Sequence, residues 1–82
     1  MKLISHLSNE IPMNINFHYG DSYDTETVLG KLKTGEVFTI YAKVSSEDMK
    51  VTWYYTGRDG YILKEEDLEC WAYIPDFNEP LF

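Results

Sequence analysis

Two neighbouring runs with apolar residues at every second position constrain this chain more than anything else in it. From Val37 to Val44, Phe38, Ile40 and Ala42 share one side; from Lys50 to Tyr55, Val51, Trp53 and Tyr55 share one side and Thr52 and Tyr54 the other. Successive side chains of a strand point to opposite faces, so a repeat of two describes strands with one buried face. Ser45-Ser46-Glu47-Asp48 between them is a polar turn. Thr56-Gly57-Arg58-Asp59-Gly60 then signals a hairpin, because two glycines can take the positive-φ positions that tight turns demand. Tyr61-Ile62-Leu63 is the returning strand.

The flanks extend this antiparallel pattern. Ile15 to Phe17 begins an earlier, apolar strand, and His18 to Thr25 is rich in turn formers and reads as a long first loop. Asp24 to Lys33 reads two ways, as a short helix capped by Asp24 with Val28, Leu29 and Leu32 on one face, or as extended chain, and Gly30 weakens the helix. Leu68 to Ile74 is the last strand, with Leu68, Cys70, Ala72 and Ile74 inward and Glu69, Trp71 and Tyr73 facing the other way, and Pro75 ends it ahead of a tail over residues 76–82. Ahead of all this, Leu3, Ile4 and Leu7 form a short extra strand or a turn of helix that Pro12 prevents from continuing, an edge element covering the core. Eighty-two residues allow one domain with little interior. Seven tyrosines, four phenylalanines and two tryptophans offset that, because large rings bury much area per residue.

Three segments occur in a telling order: Ile15-Asn16-Phe17-His18-Tyr19-Gly20-Asp21-Ser22, then Val28-Leu29-Gly30-Lys31-Leu32-Lys33-Thr34-Gly35, then Gly57-Arg58-Asp59-Gly60-Tyr61-Ile62. They resemble the bacterial form of the Src-homology-3 (SH3) domain, in which L-N-V-R-x-G-P-S, V-[IL]-G-x-L-x-x-G and G-[KR]-x-G-[YW]-[VI] recur. Asn16, Gly20 and Ser22 match the opening motif, while His18 stands for its arginine and Asp21 for its proline. The resemblance spans residues 14–71. It implies an all-β fold, a five-stranded SH3-like barrel with its core over residues 14–74 and short additions at both ends, a single domain over residues 1–82. It also implies extended chain across Asp24 to Lys33 and one 3₁₀ turn at Lys64-Glu65-Glu66-Asp67 before the last strand. Many members open the third strand with a ligand-binding Trp; here Met49 and Lys50 occupy that place and Trp53 falls inward. Known members sit beside cell-wall hydrolases and are thought to hold peptidoglycan peptides, whereas small, acidic, stand-alone domains of this kind resemble accessory proteins of phages and mobile elements.

Charge and residue chemistry narrow the function. The formal net charge is −7, and residues 45–82 carry nine acids against three bases. Direct binding of a phosphate backbone rests on Lys and Arg contacts, so nucleic acid is not the expected partner. A single cysteine excludes an intrachain disulfide, and no apolar run has the length of a signal or a membrane span, which leads to a cytoplasmic assignment away from any membrane. His6, His18 and Cys70 show no close metal-ligand spacing, so neither metal nor cofactor is expected. Cys70 lies at an inward position and reads as a structural thiol. Glu65, Glu66, Asp67 and Glu69 crowd one short turn instead of facing each other across a cleft, which suits a solvated turn or an anionic patch and not a glycosidase. Gly57-Arg58-Asp59-Gly60 is too short and too acidic to cradle a phosphate.

The expectation is therefore a non-enzymatic, cytoplasmic protein-binding module. Glu65, Glu66, Asp67 and Glu69 would meet a basic protein surface, with Tyr19, Tyr23, Trp71 and Tyr73 as apolar anchors. A phage-type inhibitor of a nucleic-acid-binding host protein would suit such an acidic face. The alternative is an SH3-type domain for cell-wall or proline-rich peptides, held in an aromatic groove between the first long loop and the Ser45 to Met49 loop.

Overall fold

The longest alternating run becomes the longest strand, and the rest of the sheet is built on it. The computed structural model describes residues 2–57 and 61–74. Among these the strands are β1 (Ile4–Ser5), β2 (Ile15–Tyr19), β3 (Ser22–Thr25), β4 (Val28–Leu32), β5 (Val37–Ser45), β6 (Val51–Tyr55), β7 (Ile62–Leu63) and β8 (Leu68–Ala72). Two 3₁₀ turns, His6–Ser8 and Glu65–Asp67, complete the regular structure of the described residues. The fold is all-β, and every pairing is antiparallel. The hairpin turn Arg58-Asp59-Gly60 and the tail at residues 75–82 lie outside the described residues.

β5 pairs with β6 along one edge, from Ile40 opposite Tyr55 to Val44 opposite Val51. Its other edge is shared. β4 takes the first half, with Val28 opposite Ile40, and β3 the second, with Asp24 opposite Lys43. Between the two partners the Ala42 N–H faces neither ladder. Thr25, 1 % exposed, fills the gap: its hydroxyl accepts from the Ala42 N–H at 3.0 Å and donates to the Glu26 carbonyl at 3.1 Å. A buried amide left unpaired would be costly, which accounts for a polar residue at this site.

β8 adds to β4 and β1 to β8, while β7 adds to β6. Ile4 from β1 and Leu63 from β7, at two ends of the sheet, enter one core with Val28, Leu32, Ile40, Ala42, Trp53, Leu68 and Trp71. The sheet therefore curls around a single interior. Among the described residues it is not closed, because β1 and β7 are not paired with each other. The inward face of β6 is as the alternation requires: Trp53 is buried, its ring 6.0 Å from that of Trp71, and Tyr55 meets Phe38 edge-on at 5.2 Å. Gly30 of β4 faces the same interior, opposite Phe38 and Trp71. A Cβ at Gly30 would collide with Ile40 Cδ1, so the glycine is set by close packing.

The structure corrects several expectations. The segment His18 to Thr25 is not a long loop. Tyr19 pairs with Ser22, leaving Gly20-Asp21 as a two-residue hairpin turn, and Gly20 has φ +36°. Positive φ at the first central position is the type II′ pattern, which suits the twist of the strands it joins. The first strand does not bury its apolar residues either: every residue of β2 is exposed. Among the described residues β2 pairs only with β3, beyond the curled interior.

The last strand departs from strict alternation. Lys31 lies opposite Cys70, but Leu32 lies opposite Leu68, so Glu69 is an unpaired extra residue, a β-bulge. The bulge turns both Leu68 and Trp71 into the core. Trp71, expected on the outer side, is 1 % exposed; Cys70 is buried outside that core; and Ile74, expected inward, is 49 % exposed beyond the end of the strand. Extended chain across Asp24 to Lys33 holds as two strands, and the 3₁₀ turn before β8 is present. At the N-terminus both readings meet, a two-residue strand followed by a 3₁₀ turn, which Ser5 caps by accepting from the Leu7 N–H and Asn9 ends in the left-handed region.

Candidate interaction surfaces

The acidic turn is held from behind and open in front. The Asp67 carbonyl accepts from the Lys33 N–H at 2.9 Å, tying the turn to the β4–β5 connection, and the Asp67 N–H closes it onto the Lys64 carbonyl at 2.9 Å. Glu65, Glu66 and Asp67 project from it exposed, and the bulge puts Glu69 on the outer face beside them. His6 Nε2 lies 3.2 Å from Glu65 Oε1, and Lys31 Nζ 3.9 Å from Glu69 Oε2. Among the described residues, Glu66 and Asp67 have no ion-pair partner. A groove of about 570 Å³ runs between this turn and the His6–Ser8 turn, bounded by Leu7, Lys33, Glu66 and Glu69.

The four aromatic candidates do not join this surface. Trp71 is in the core and presents no ring to solvent. Tyr73 follows the end of β8, edge-on to Trp71 at 5.1 Å, and its hydroxyl accepts from the Met13 N–H at 3.2 Å. At about 3.3 Å per residue, it lies roughly 20 Å along the chain from the acidic turn. Tyr19 and Tyr23 sit on the β2–β3 hairpin, which does not pair with β8, and neither lines the groove beside the acidic turn. Tyr23 is half-buried, stacked 6.5 Å from His18, and Tyr19 is 46 % exposed.

A second surface surrounds Tyr19, which was expected as an anchor, but its other members, Ile15 and Phe17, read only as an apolar strand. Phe17 is 56 % exposed, with its ring 4.6 Å from that of Tyr19, and Lys43 Nζ stands 4.8 Å over the Tyr19 ring. Ile15 is 56 % exposed on the same strand. The Phe17/Tyr19 spacing of two was the available signal. What the sequence lacked was any mark that β2 would pair with β3 and, among the described residues, leave its side chains uncovered.

The groove expected between the first loop and the Ser45–Met49 loop is spanned by hydrogen bonds: the Ser46 N–H donates to the Asp21 carbonyl at 2.7 Å, and the Ser46 hydroxyl donates to the same oxygen. In that turn the Lys50 N–H donates to Asp48 Oδ1 at 3.0 Å, and this bond, with one from Ser45, holds the Asp48 carboxyl below its ordinary range. Met49 takes φ +57°. Cys70 borders a small apolar hollow of about 90 Å³ beneath Leu3, with Leu29 and Val37. Among the described residues, no three His, Cys, Asp or Glu side chains are grouped to hold a metal, and no helix is long and apolar enough to cross a membrane. Compared with protein-family models, curated proteins and solved structures, the chain matches none.

Proposed function

We infer that this chain is a non-enzymatic, cytoplasmic protein-binding module on an SH3-like barrel, and that its acidic turn meets a basic surface of a protein partner. The barrel reading is supported by β4, β5, β6, β7 and β8 curling about one core with a 3₁₀ turn between the last two. In that reading β4 takes the place in the barrel expected of the Ile15–Phe17 strand, and β1 and the β2–β3 hairpin are additions to it. The binding reading rests on one observation: four carboxylates are exposed together on one short segment, two of them without an ion-pair partner among the described residues. Such a surface attracts Lys- and Arg-rich surfaces and speeds encounter with them. A protein that ordinarily binds nucleic acid offers that surface, and occupying it would inhibit it, as expected of a phage-type inhibitor. The peptide-groove alternative gains less, because Ser46 and Asp21 are bonded across its expected path.

The test is to capture the partner by pull-down and measure association rates at low and high salt. Glu65→Lys with Glu66→Lys leaves the fold unchanged, because exposed ion pairs contribute only about 0–1 kcal/mol. The double variant is expected to associate about tenfold more slowly at low salt, the difference shrinking as the Debye length falls. Equal rates for both proteins, with wild-type binding insensitive to salt, would refute the electrostatic reading.

A further inference from the structure

β2 is an unprotected edge, and we propose that it pairs antiparallel with β2 of a second copy of this chain, forming a two-fold dimer. Among the described residues three strands end the sheet: β1, β7 and β2. The first two are only two residues long. β2 has five residues, all exposed, and among the described residues pairs on one side only. A strand edge presents a row of unpaired N–H and C=O groups, and proteins that stay monomeric guard such edges with short strands, charges, proline or bulges. Ile15-Asn16-Phe17-His18-Tyr19 carries no Lys, Arg, Asp, Glu or Pro. Its one guard is the register shift at Asn16, which leaves Phe17 to Tyr19 regular.

Charge selects the occupant. With a net charge of −7, two copies repel through most approaches, above all through Glu65, Glu66, Asp67 and Glu69. β2 itself carries no charged residue, and the nearest charge to its rings is a cation, the Lys43 ammonium over Tyr19. An antiparallel pair centred on His18 sets Phe17 of each copy opposite Tyr19 of the other, and Ile15 opposite Asp21. No carboxylate then faces a carboxylate, and the two Phe17–Tyr19 ring pairs, already 4.6 Å apart within each copy, join in one four-ring cluster on one face of the continuous sheet. Aromatic cross-strand pairs are among the favourable ones in sheets. The closest acids, Asp21, Asp24 and Glu26, belong to the turn and to the far side of the hairpin.

The edge is small beside the roughly 1,200–2,000 Å² that stable complexes bury, so the dimer depends on concentration. The experiment is light-scattering mass measurement of the full chain after size exclusion, from about 10 µM to about 1 mM. The mass should rise from 9.6 kDa toward twice that value across the series. Phe17→Glu with Tyr19→Glu, shown folded by circular dichroism, should stay at the monomer mass throughout. Leu7→Glu, which changes an 87 % exposed apolar residue away from β2, should dimerise like wild type. Amide exchange supplies a second reading that needs no variant: β2 amides should slow at high concentration. A wild-type chain that remains monomeric to the top of the series overturns the proposal. So does a dimer that survives the β2 double variant, or one that Leu7→Glu abolishes.

Discussion

Gly30→Ala is the sharpest test of the packing described above. Gly30 does not have a positive φ, so alanine can adopt its backbone conformation. On backbone grounds alone the change should stabilise, by about 0.5–1 kcal/mol, since glycine inside a strand is the worse choice. The new methyl, however, collides with Ile40 Cδ1 and comes within 3.0 Å of Ile40 Cγ1. Ile40 is fully buried at the centre of the core and cannot swing away into solvent. Overpacking of this kind costs about 1–3 kcal/mol, so the expected net loss is about 1–2 kcal/mol. Ile40→Val removes Cδ1 and costs about 0.5–1.5 kcal/mol by itself. The two changes should not add. In the double variant the alanine methyl occupies the space that Cδ1 vacates, and a coupling of about 1 kcal/mol in the rescuing direction is expected, within the usual range for residues in contact. Urea unfolding followed by tryptophan fluorescence reads all four proteins; with a slope near 1 kcal/mol per molar, the Gly30→Ala midpoint falls by about 1–2 M. A neutral Gly30→Ala, or strictly additive losses, would show that Gly30 and Ile40 do not share this space.

Thr25→Val keeps the shape but removes the acceptor for the Ala42 N–H; it should cost about 1–3 kcal/mol. In a domain of this size each kcal/mol lowers the melting temperature by about 4–8 °C, and Thr25→Ser should recover most of the loss. Met49→Gly should stabilise by up to about 1 kcal/mol, because a left-handed conformation costs a side-chain-bearing residue about 1–2 kcal/mol and glycine returns part of that as chain entropy; a loss in chemical denaturation would count against the strain. Trp71→Ala should cost about 3–5 kcal/mol, as should Trp53→Ala. Ile74→Ala should change stability by less than about 0.5 kcal/mol, and the reverse ranking of Trp71 and Ile74 would mean that β8 alternates without its bulge.

What could be read from the chain beforehand was whatever depends on local periodicity. β5 and β6 were legible because Phe38, Ile40, Ala42 and Trp53 sit at a spacing of two on strands whose other face is solvated. The β8 facing was not, because a bulge inserts one residue without altering composition: Leu68, Cys70, Ala72 and Ile74 alternate on paper, whereas in the fold Leu68 and Trp71, three residues apart, share the core. The Gly20-Asp21 turn was obscured by the number of turn formers around it, which suit a loop and a hairpin equally. Of the candidate surfaces, the acidic turn was visible because charged residues are rarely buried. The β2 surface was legible only at Tyr19, because Ile15 and Phe17 have the composition of a core strand, and only topology decides whether anything covers them.

The divided edge of β5 has a consequence for how the molecule breathes. No residue of β2 or β3 belongs to the hydrophobic core cluster. The hairpin is held by its pairing with residues 43–45, by the Thr25 hydroxyl, by the Asp21–Ser46 contacts at its tip and by Asn14 and Glu26 at its root. It can therefore detach as a unit without opening the core, a sub-global fluctuation of low free energy. Alternate amides along an antiparallel strand point to opposite neighbours. At the second half of β5, then, adjacent residues belong to two kinetic classes: those bonded toward β3 exchange whenever the hairpin lifts, and those bonded toward β6 wait for global unfolding. The Ala42 amide, held by a hydroxyl alone, marks the boundary between them.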